Sequence, residues 1–148
     1  MKASKKCLEM LAHHEGVRQK PYKCPAGLWT VGVGHLIGDG KSLPDSWNRI
    51  FSLEEVYAIL AKDVERFERG VSRLITIPLR QNEMDALISF TFNLGIGCLQ
   101  RSSIRQKLNR GDKEGAIESL LKYNKAGGKI LKGLDNRRKD EAALFLSK

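Results

Sequence analysis

Apolar positions recur with helical spacing over most of this chain, broken by one stretch near the N-terminus that does not follow it. Ser4 is placed to cap a helix that carries Cys7, Leu8, Leu11 and Ala12 on one face and ends near Glu15 and Gly16. From residue 17 to 40 the helical period vanishes. Pro21, Pro25 and Gly27 punctuate a loop, and Trp29–His35 reads W-T-V-G-V-G-H, alternating as a strand with little bulk on one face. The tetrapeptide I-G-D-G at Ile37–Gly40 predicts a turn. Helical spacing then resumes. Ser52 with Glu55 forms a capping box, and Leu53, Val56, Ile59, Leu60, Val64, Phe67, Val71 and Leu74 predict one long helix, ~30 Å at 1.5 Å per residue. Gly70, late in that helix, points to a packing or flexing role.

A second long helix is predicted after Pro78, with Met84, Leu87, Ile88 and Thr91/Leu94 buried, stopping at Gly95 and Gly97. Ser102 or Ser103 caps a short helix ending at Gly111, and Asp112 caps another through about Tyr123. Lys125–Gly133 reads as a loop. Asp135 then opens a final helix anchored by Ala142, Phe145 and Leu146. No internal repeat appears, and no linker is long enough to divide independent domains.

At 148 residues, 41% of them hydrophobic, the chain fits one domain and is too apolar for disorder. The net charge of +9 is lopsided: residues 1–100 carry 13 Lys/Arg against 11 Asp/Glu, whereas residues 101–148 carry 13 against 6. A basic C-terminal third calls for an anionic partner, and nucleic acid, anionic lipid and bacterial cell wall all qualify. Cys7, Cys24 and Cys98 are three cysteines at irregular spacing, which makes neither a disulfide framework nor a metal knuckle; synthesis in a reducing cytosol is the simplest reading. No run has the length of a signal peptide or a membrane span. A basic nucleic-acid-binding module built on Arg101–Arg110 and Lys122–Lys139 is the competing class, but those charges lack interleaved aromatics and a docking motif.

Glu15, eight residues, Cys24, five residues, Thr30, then G-x-G-H-L together resemble the catalytic signature of phage-type lysozymes (endolysins, glycoside hydrolase family 24), in the variety with Cys at the middle position. Later segments are similar in order and spacing: Asp63, Val64, Arg69 and Gly70; Phe92, Asn93 and Gly95; Ser103; and Asn136 with Arg137. The resemblance implies an α+β, bilobed lysozyme-like fold within a single domain, 1–148. Its small β-containing N-terminal lobe, about 15–60, is joined by an interlobe helix, about 53–74, to a helical C-terminal lobe, about 78–148, that also takes the N-terminal helix. The implied site lies between lobes.

It further implies a muramidase that hydrolyses the β-1,4 bond from N-acetylmuramic acid to N-acetylglucosamine in peptidoglycan, with a lytic transglycosylase as the near variant. Such cleavage needs an acid at the leaving oxygen and a group that delivers or stabilises the attack. Glu15 is the expected general acid; Thr30 would position water; Cys24 would line the site. Leu36, Phe92, Asn93 and Ser103 are the expected substrate contacts. His35 would pair with Asp63, and Arg137 would bridge to Glu15, as structural support. His13 and His14 have no metal-ligand spacing, so neither metal nor cofactor is expected. Trp29 and Trp47 are open between sugar stacking and core packing. The expected partners are glycan strands, an anionic wall or membrane surface for the basic third, and a holin for release. A monomer is expected, held in the host cytoplasm until lysis.

Overall fold

A computed structural model describes all residues, Met1–Lys148. The chain forms two compact units: Leu8–Glu65, and a second made of Met1–Cys7 with Arg66–Lys148.

Helix α1 (Lys5–Glu15) starts in the second unit and enters the first. The Ser4 hydroxyl accepts the Cys7 N–H at 3.2 Å, which satisfies an N-terminal donor the helix itself leaves unpaired. Gly16 ends it at φ +85°, its N–H reaching Ala12 O at 2.9 Å.

In the Leu8–Glu65 unit, strands β1 (Arg18–Lys23), β2 (Trp29–Gly32) and β3 (His35–Leu36) form an antiparallel sheet in that order. Pro21 has no N–H to give a ladder, and it falls where the β1–β2 register slips between Arg18 and Tyr22, on an edge strand. The run W-T-V-G-V-G-H is not one strand: it folds back on itself, pairing Thr30 with Leu36 and Val31 with His35. Gly32 and Gly34, at φ +70° and +66°, supply that reversal, so the glycines serve the backbone's direction. The turn at Ile37–Gly40 forms as the sequence predicts, closed by Gly40 N–H to Ile37 O at 2.8 Å.

Helix α2 (Leu53–Asp63) carries the Ser52/Glu55 capping box and packs its buried Val56 and Leu60 toward β2 and β3. The predicted long helix does not run unbroken to Leu74. It is interrupted at Val64, and α3 (Glu65–Leu74) follows. Apolar spacing alone cannot distinguish the two arrangements, because the stripe continues through the break.

The other unit is built on α4 (Gln81–Leu94) and α8 (Lys132–Leu146), with α3, α5 (Ile96–Arg101), α6 (Ser103–Asn109) and α7 (Lys113–Leu121) around them. From Glu83 to Thr91 every residue of α4 is buried, so its core contact is wider than the predicted stripe, and Leu94 is only half-buried. Helix α5 is missing from the sequence reading, since Gly95 and Gly97 there look like stops. Gly70 proves to be a packing glycine: a Cβ on it would lie 2.5 Å from Ile96 Cδ1 of α5. The expected loop after Lys125 contains a hairpin, β4 (Lys125–Ala126) with β5 (Lys129–Ile130), turned by Gly127 and Gly128 at φ +58° and +79°. Helix α8 begins at Lys132, three residues before the predicted cap, and Asp135 lies in its first turn.

The Met1–Cys7 segment is tied to this unit by polar contacts. Ala3 N–H meets Glu68 at 2.6 Å, and Ser4 bonds Asp85 through both its N–H and its hydroxyl. Buried Cys7 donates its thiol to Asp85 O at 3.5 Å.

Candidate active site

The first unit holds Glu15, Cys24 and Thr30. Glu15 is exposed at the last position of α1, immediately before the helix-ending glycine. Cys24 opens the tight turn from β1 to β2: its carbonyl accepts Gly27 N–H at 2.7 Å and its own N–H reaches Leu28 O at 2.9 Å. Thr30, 5% exposed on β2, donates its hydroxyl to Leu28 O at 3.0 Å.

The turn also shapes the chemistry of the Cys24 sulfur. Hydrogen bonding from the Leu28 backbone N–H lowers the thiol's pKa from its ordinary value, partly opposed by desolvation. The Ala26 N–H, the Thr30 hydroxyl and the residue's own N–H add to the lowering. Thr30 has one proton for two acceptors, the Leu28 carbonyl and the sulfur, so ionising Cys24 strengthens the second at the expense of the first. The other two cysteines go the opposite way: burial pushes both the Cys7 and the Cys98 thiols up. Among three free thiols, the one in this turn alone is shifted toward the anion.

Beside it, His35 Nδ1 donates to Asp63 Oδ2 at 2.7 Å, linking β3 to the end of α2. The ring stacks on Trp47 at 5.7 Å, and Trp47 in turn meets Phe51 at 5.4 Å, so Trp47 is a packing residue. Trp29 carries the Lys23 ammonium over its face at 5.4 Å. Leu36 is 43% exposed beside His35. If the His35–Asp63 bond anchors this sheet, either alanine substitution should cost about 1 kcal/mol, a modest value because both side chains are partly exposed. The double mutant should cost about 0.5 kcal/mol or more below the sum; strict additivity in urea unfolding would show no coupling.

In the second unit, Phe92 and Asn93 line a surface depression of about 480 Å³ with Arg66, Phe67, Leu94, Gly95 and Ile96. The Phe67 and Phe92 rings lie 5.3 Å apart, with the Arg66 guanidinium 4.7 Å from the Phe67 centroid. Asn93 is held from below: its Oδ1 accepts Arg138 Nη2 at 2.9 Å. Arg138 is fully buried and pairs through Nε with Glu141 Oε1 at 2.7 Å, while Ser89 donates to Glu141 Oε2 at 2.6 Å. Arg137, 4% exposed, joins the cluster through Glu141 at 3.3 Å and Ser89 O at 3.0 Å. The sequence reading missed Arg138 and Glu141 altogether. Their i,i+3 spacing, beside Arg137 at i,i+4, was the available signal, but a charged run such as D-N-R-R-K-D-E reads as a solvated face. Ser103 lies elsewhere in the unit, on a separate depression of about 270 Å³.

Residues 12–141 match the phage lysozyme family. The chain is 37% identical over 155 residues to an endolysin of Acyrthosiphon pisum secondary endosymbiont phage 1, covering 99% of each. It is 36% identical to an endolysin of Bacillus phage B103, of which it spans only 55%. A SAR-endolysin of Escherichia phage Mu is 35% identical over 93% of this chain and 77% of its own length. Among solved structures, a P22 lysozyme mutant superposes with a TM-score of 0.89 at 34% identity, and the muramidase domain of SpmX from Asticaccaulis excentricus with 0.85 at 30%, each over 99% of both chains. Family match, identity over nearly the whole chain and shared fold agree: this chain belongs to the phage lysozyme family.

Proposed function

We propose that this chain is an endolysin acting as a muramidase, which cleaves the β-1,4 bond between N-acetylmuramic acid and N-acetylglucosamine in peptidoglycan by adding water. The observation that carries the chemistry is the β1–β2 turn, closed by Gly27 N–H to Cys24 O and Cys24 N–H to Leu28 O, which sets Cys24 nine residues after the Glu15 carboxylate; backbone N–H groups, that of Leu28 first, and the Thr30 hydroxyl lower its thiol's pKa there. In this reading Glu15 protonates the leaving oxygen, and Cys24 with Thr30 orients water or stabilises positive charge on the sugar. Leu36, Phe92, Asn93 and Ser103 contact the glycan. The aromatic floor of Phe67 and Phe92, with Asn93 fixed by Arg138, offers the apolar faces and directed polar groups that sugars require.

Clearing of a turbid cell-wall suspension tests the activity, and analysis of the product's reducing ends tests the reaction type. A free reducing muramic acid is expected; an anhydro-sugar would make the enzyme a lytic transglycosylase instead. We propose release by a holin and action as a monomer. No helix is long and apolar enough to cross a membrane.

The basic C-terminal third suits capture of anionic surfaces better than nucleic-acid reading, because its charges lack interleaved aromatics and a docking motif, and several of them are spent internally. Lys139 pairs with Asp135 at 2.8 Å, Lys113 with Glu83 at 2.8 Å, and Arg137 and Arg138 with Glu141. Long-range attraction to a wall is screened by salt, with a Debye length of about 10 Å at 0.1 M. Lysis should therefore slow steeply as salt is added, while cleavage of a small neutral chitooligosaccharide should change little. Equal salt sensitivity on both substrates would count against this role for the charge.

A further inference from the structure

Arg138 is fully buried, and its guanidinium carries five N–H donors that burial obliges the protein to satisfy. Its Nε lies 2.7 Å from Glu141 Oε1 and its Nη2 donates to Glu141 Oε2 at 3.1 Å, so the pair is held at two points within α8. Nη1 reaches the Tyr123 carbonyl, just after α7, at 3.3 Å, and the guanidinium carbon lies 5.1 Å from the centre of the Phe90 ring of α4. These contacts join three helices and neutralise a buried charge. One further bond does something else: Nη2 donates to Asn93 Oδ1 at 2.9 Å.

Asn93 is half-buried in the lining of the depression with Phe67 and Phe92, where water could satisfy it as well as a protein group could. The bond to Arg138 therefore adds little to packing, but it fixes a direction. A guanidinium has no acceptor, so the Asn93 oxygen has to face Arg138 and its NH₂ has to face away. Turning the amide over would set donor against donor and leave a buried N–H unpaired. The network also closes on a single face of α4. Ser89 donates to Glu141 Oε2 at 2.6 Å, Glu141 pairs with Arg138, and Arg138 bonds Asn93, four residues after Ser89. No protein group accepts from Asn93 Nδ2, so both of its hydrogens are left for a ligand.

We propose that Arg138 is a positioning residue: it locks the Asn93 amide with its donors turned into the depression, so that this place selects a sugar group offering an acceptor oxygen. That Asn93 meets glycan rests on the muramidase reading above; the orientation of its amide does not. A freely flipping amide would offer donor or acceptor alike and would lose side-chain freedom at each binding event. Holding it beforehand removes that loss, so the effect falls on binding and not on the chemical step.

Two experiments on the full chain test this. In the first, ¹⁵N relaxation gives the order parameter of the Asn93 side-chain amide. It should be about 0.85 in wild type, the value of a rigid backbone, and below about 0.6 in Arg138→Lys. Lysine keeps a positive charge for Glu141 but lacks the planar fork that serves Asn93 at the same time. If that variant does not fold, Arg138→Met/Glu141→Gln removes both charges together and takes its place. An order parameter unchanged by loss of the guanidinium overturns the proposal. This arm uses no glycan, so it stands even if the muramidase reading fails.

In the second, cleavage of glycan strands is followed in a double-mutant cycle. Asn93→Ala and Arg138→Lys should each raise KM about five- to tenfold, the worth of one hydrogen bond, with kcat little changed. The double variant should be no worse than Asn93→Ala alone, because Arg138 acts on binding only through Asn93. A purely structural arginine would instead give the same KM change in both backgrounds, as its loss of melting temperature should. Asn93→Asp, which Arg138 would grip as an ion pair but which has no N–H to present, should raise KM at least as far as Asn93→Ala. KM effects that multiply in the double variant, or an Asn93→Asp enzyme with the wild-type KM, overturn the selection of an acceptor.

Discussion

Glu15→Gln is expected to lower wall-clearing activity by about 10²–10⁴-fold while the protein stays folded, because the amide keeps the shape of the side chain but has no proton to give a leaving oxygen. In barrier terms that is about 2.7–5.4 kcal/mol. Glu15 ends α1 in an exposed position, outside the buried core, so the change should spare the fold. Melting temperature and clearing rate should be measured on the same preparation. Glu9→Gln, also exposed and on the same helix, is the control and should clear walls at the wild-type rate. Activity of Glu15→Gln within about threefold of wild type would remove Glu15 from the mechanism, since no general acid contributes so little.

The parts of the fold legible in the sequence are those governed by local rules. Ser4, Ser52, Ser102 and Asp112 cap helices where their side chains predict it, and Gly16, Gly95 and Gly111 take the positive φ that stops them. Errors arise where one pattern serves two structures. The apolar stripe from Leu53 to Leu74 is the same whether or not the helix breaks at Val64, and the alternation in Trp29–His35 suits a single strand as well as two short ones. Gly32 and Gly34 were the clue to the second, since positive φ inside a strand-like run means reversal.

At the candidate site the residue types were readable and their electrostatics were not. The signature singles out Cys24, but nothing in the sequence shows how its thiol is shifted relative to those of Cys7 and Cys98; that difference lies in burial of the latter two and in backbone N–H groups directed at the first. The support beneath Asn93 was hidden for a related reason. Arg138 and Glu141 bury two opposite charges together, an arrangement that stabilises little by itself but is costly to break from one side. A composition-based reading assigns such residues to water.

Cys24→Asp should remain active and move the pH–rate profile toward acid, whereas Cys24→Ser should lose most of the rate. The argument turns on which form of residue 24 works. Hydrogen bonds from Leu28, Ala26 and Thr30 lower the thiol's pKa, and lowering an acid's pKa enlarges its anionic fraction at every pH below the ordinary value. If the thiolate orients water or stabilises positive charge, wild-type activity should climb through that pKa. The rise should fall at lower pH than the ~8.5 of a free cysteine. An aspartate in the same turn keeps its charge down to about pH 4, so its alkaline-side plateau should extend some units further toward acid. Serine is nearly isosteric with cysteine and neutral at all these values, so it should lose about 10²-fold or more if charge is what matters. Iodoacetamide should inactivate wild type at a rate that follows the same titration, and should leave Cys24→Asp active because Cys7 is buried and burial pushes the half-buried Cys98 thiol away from its reactive anion. The opposing outcome is equally concrete. Wild-type rates from Cys24→Ser or Cys24→Ala, with no displacement of the profile, would reduce the side chain to a filler of space. The reaction would then rest on Glu15 and a water held by Thr30.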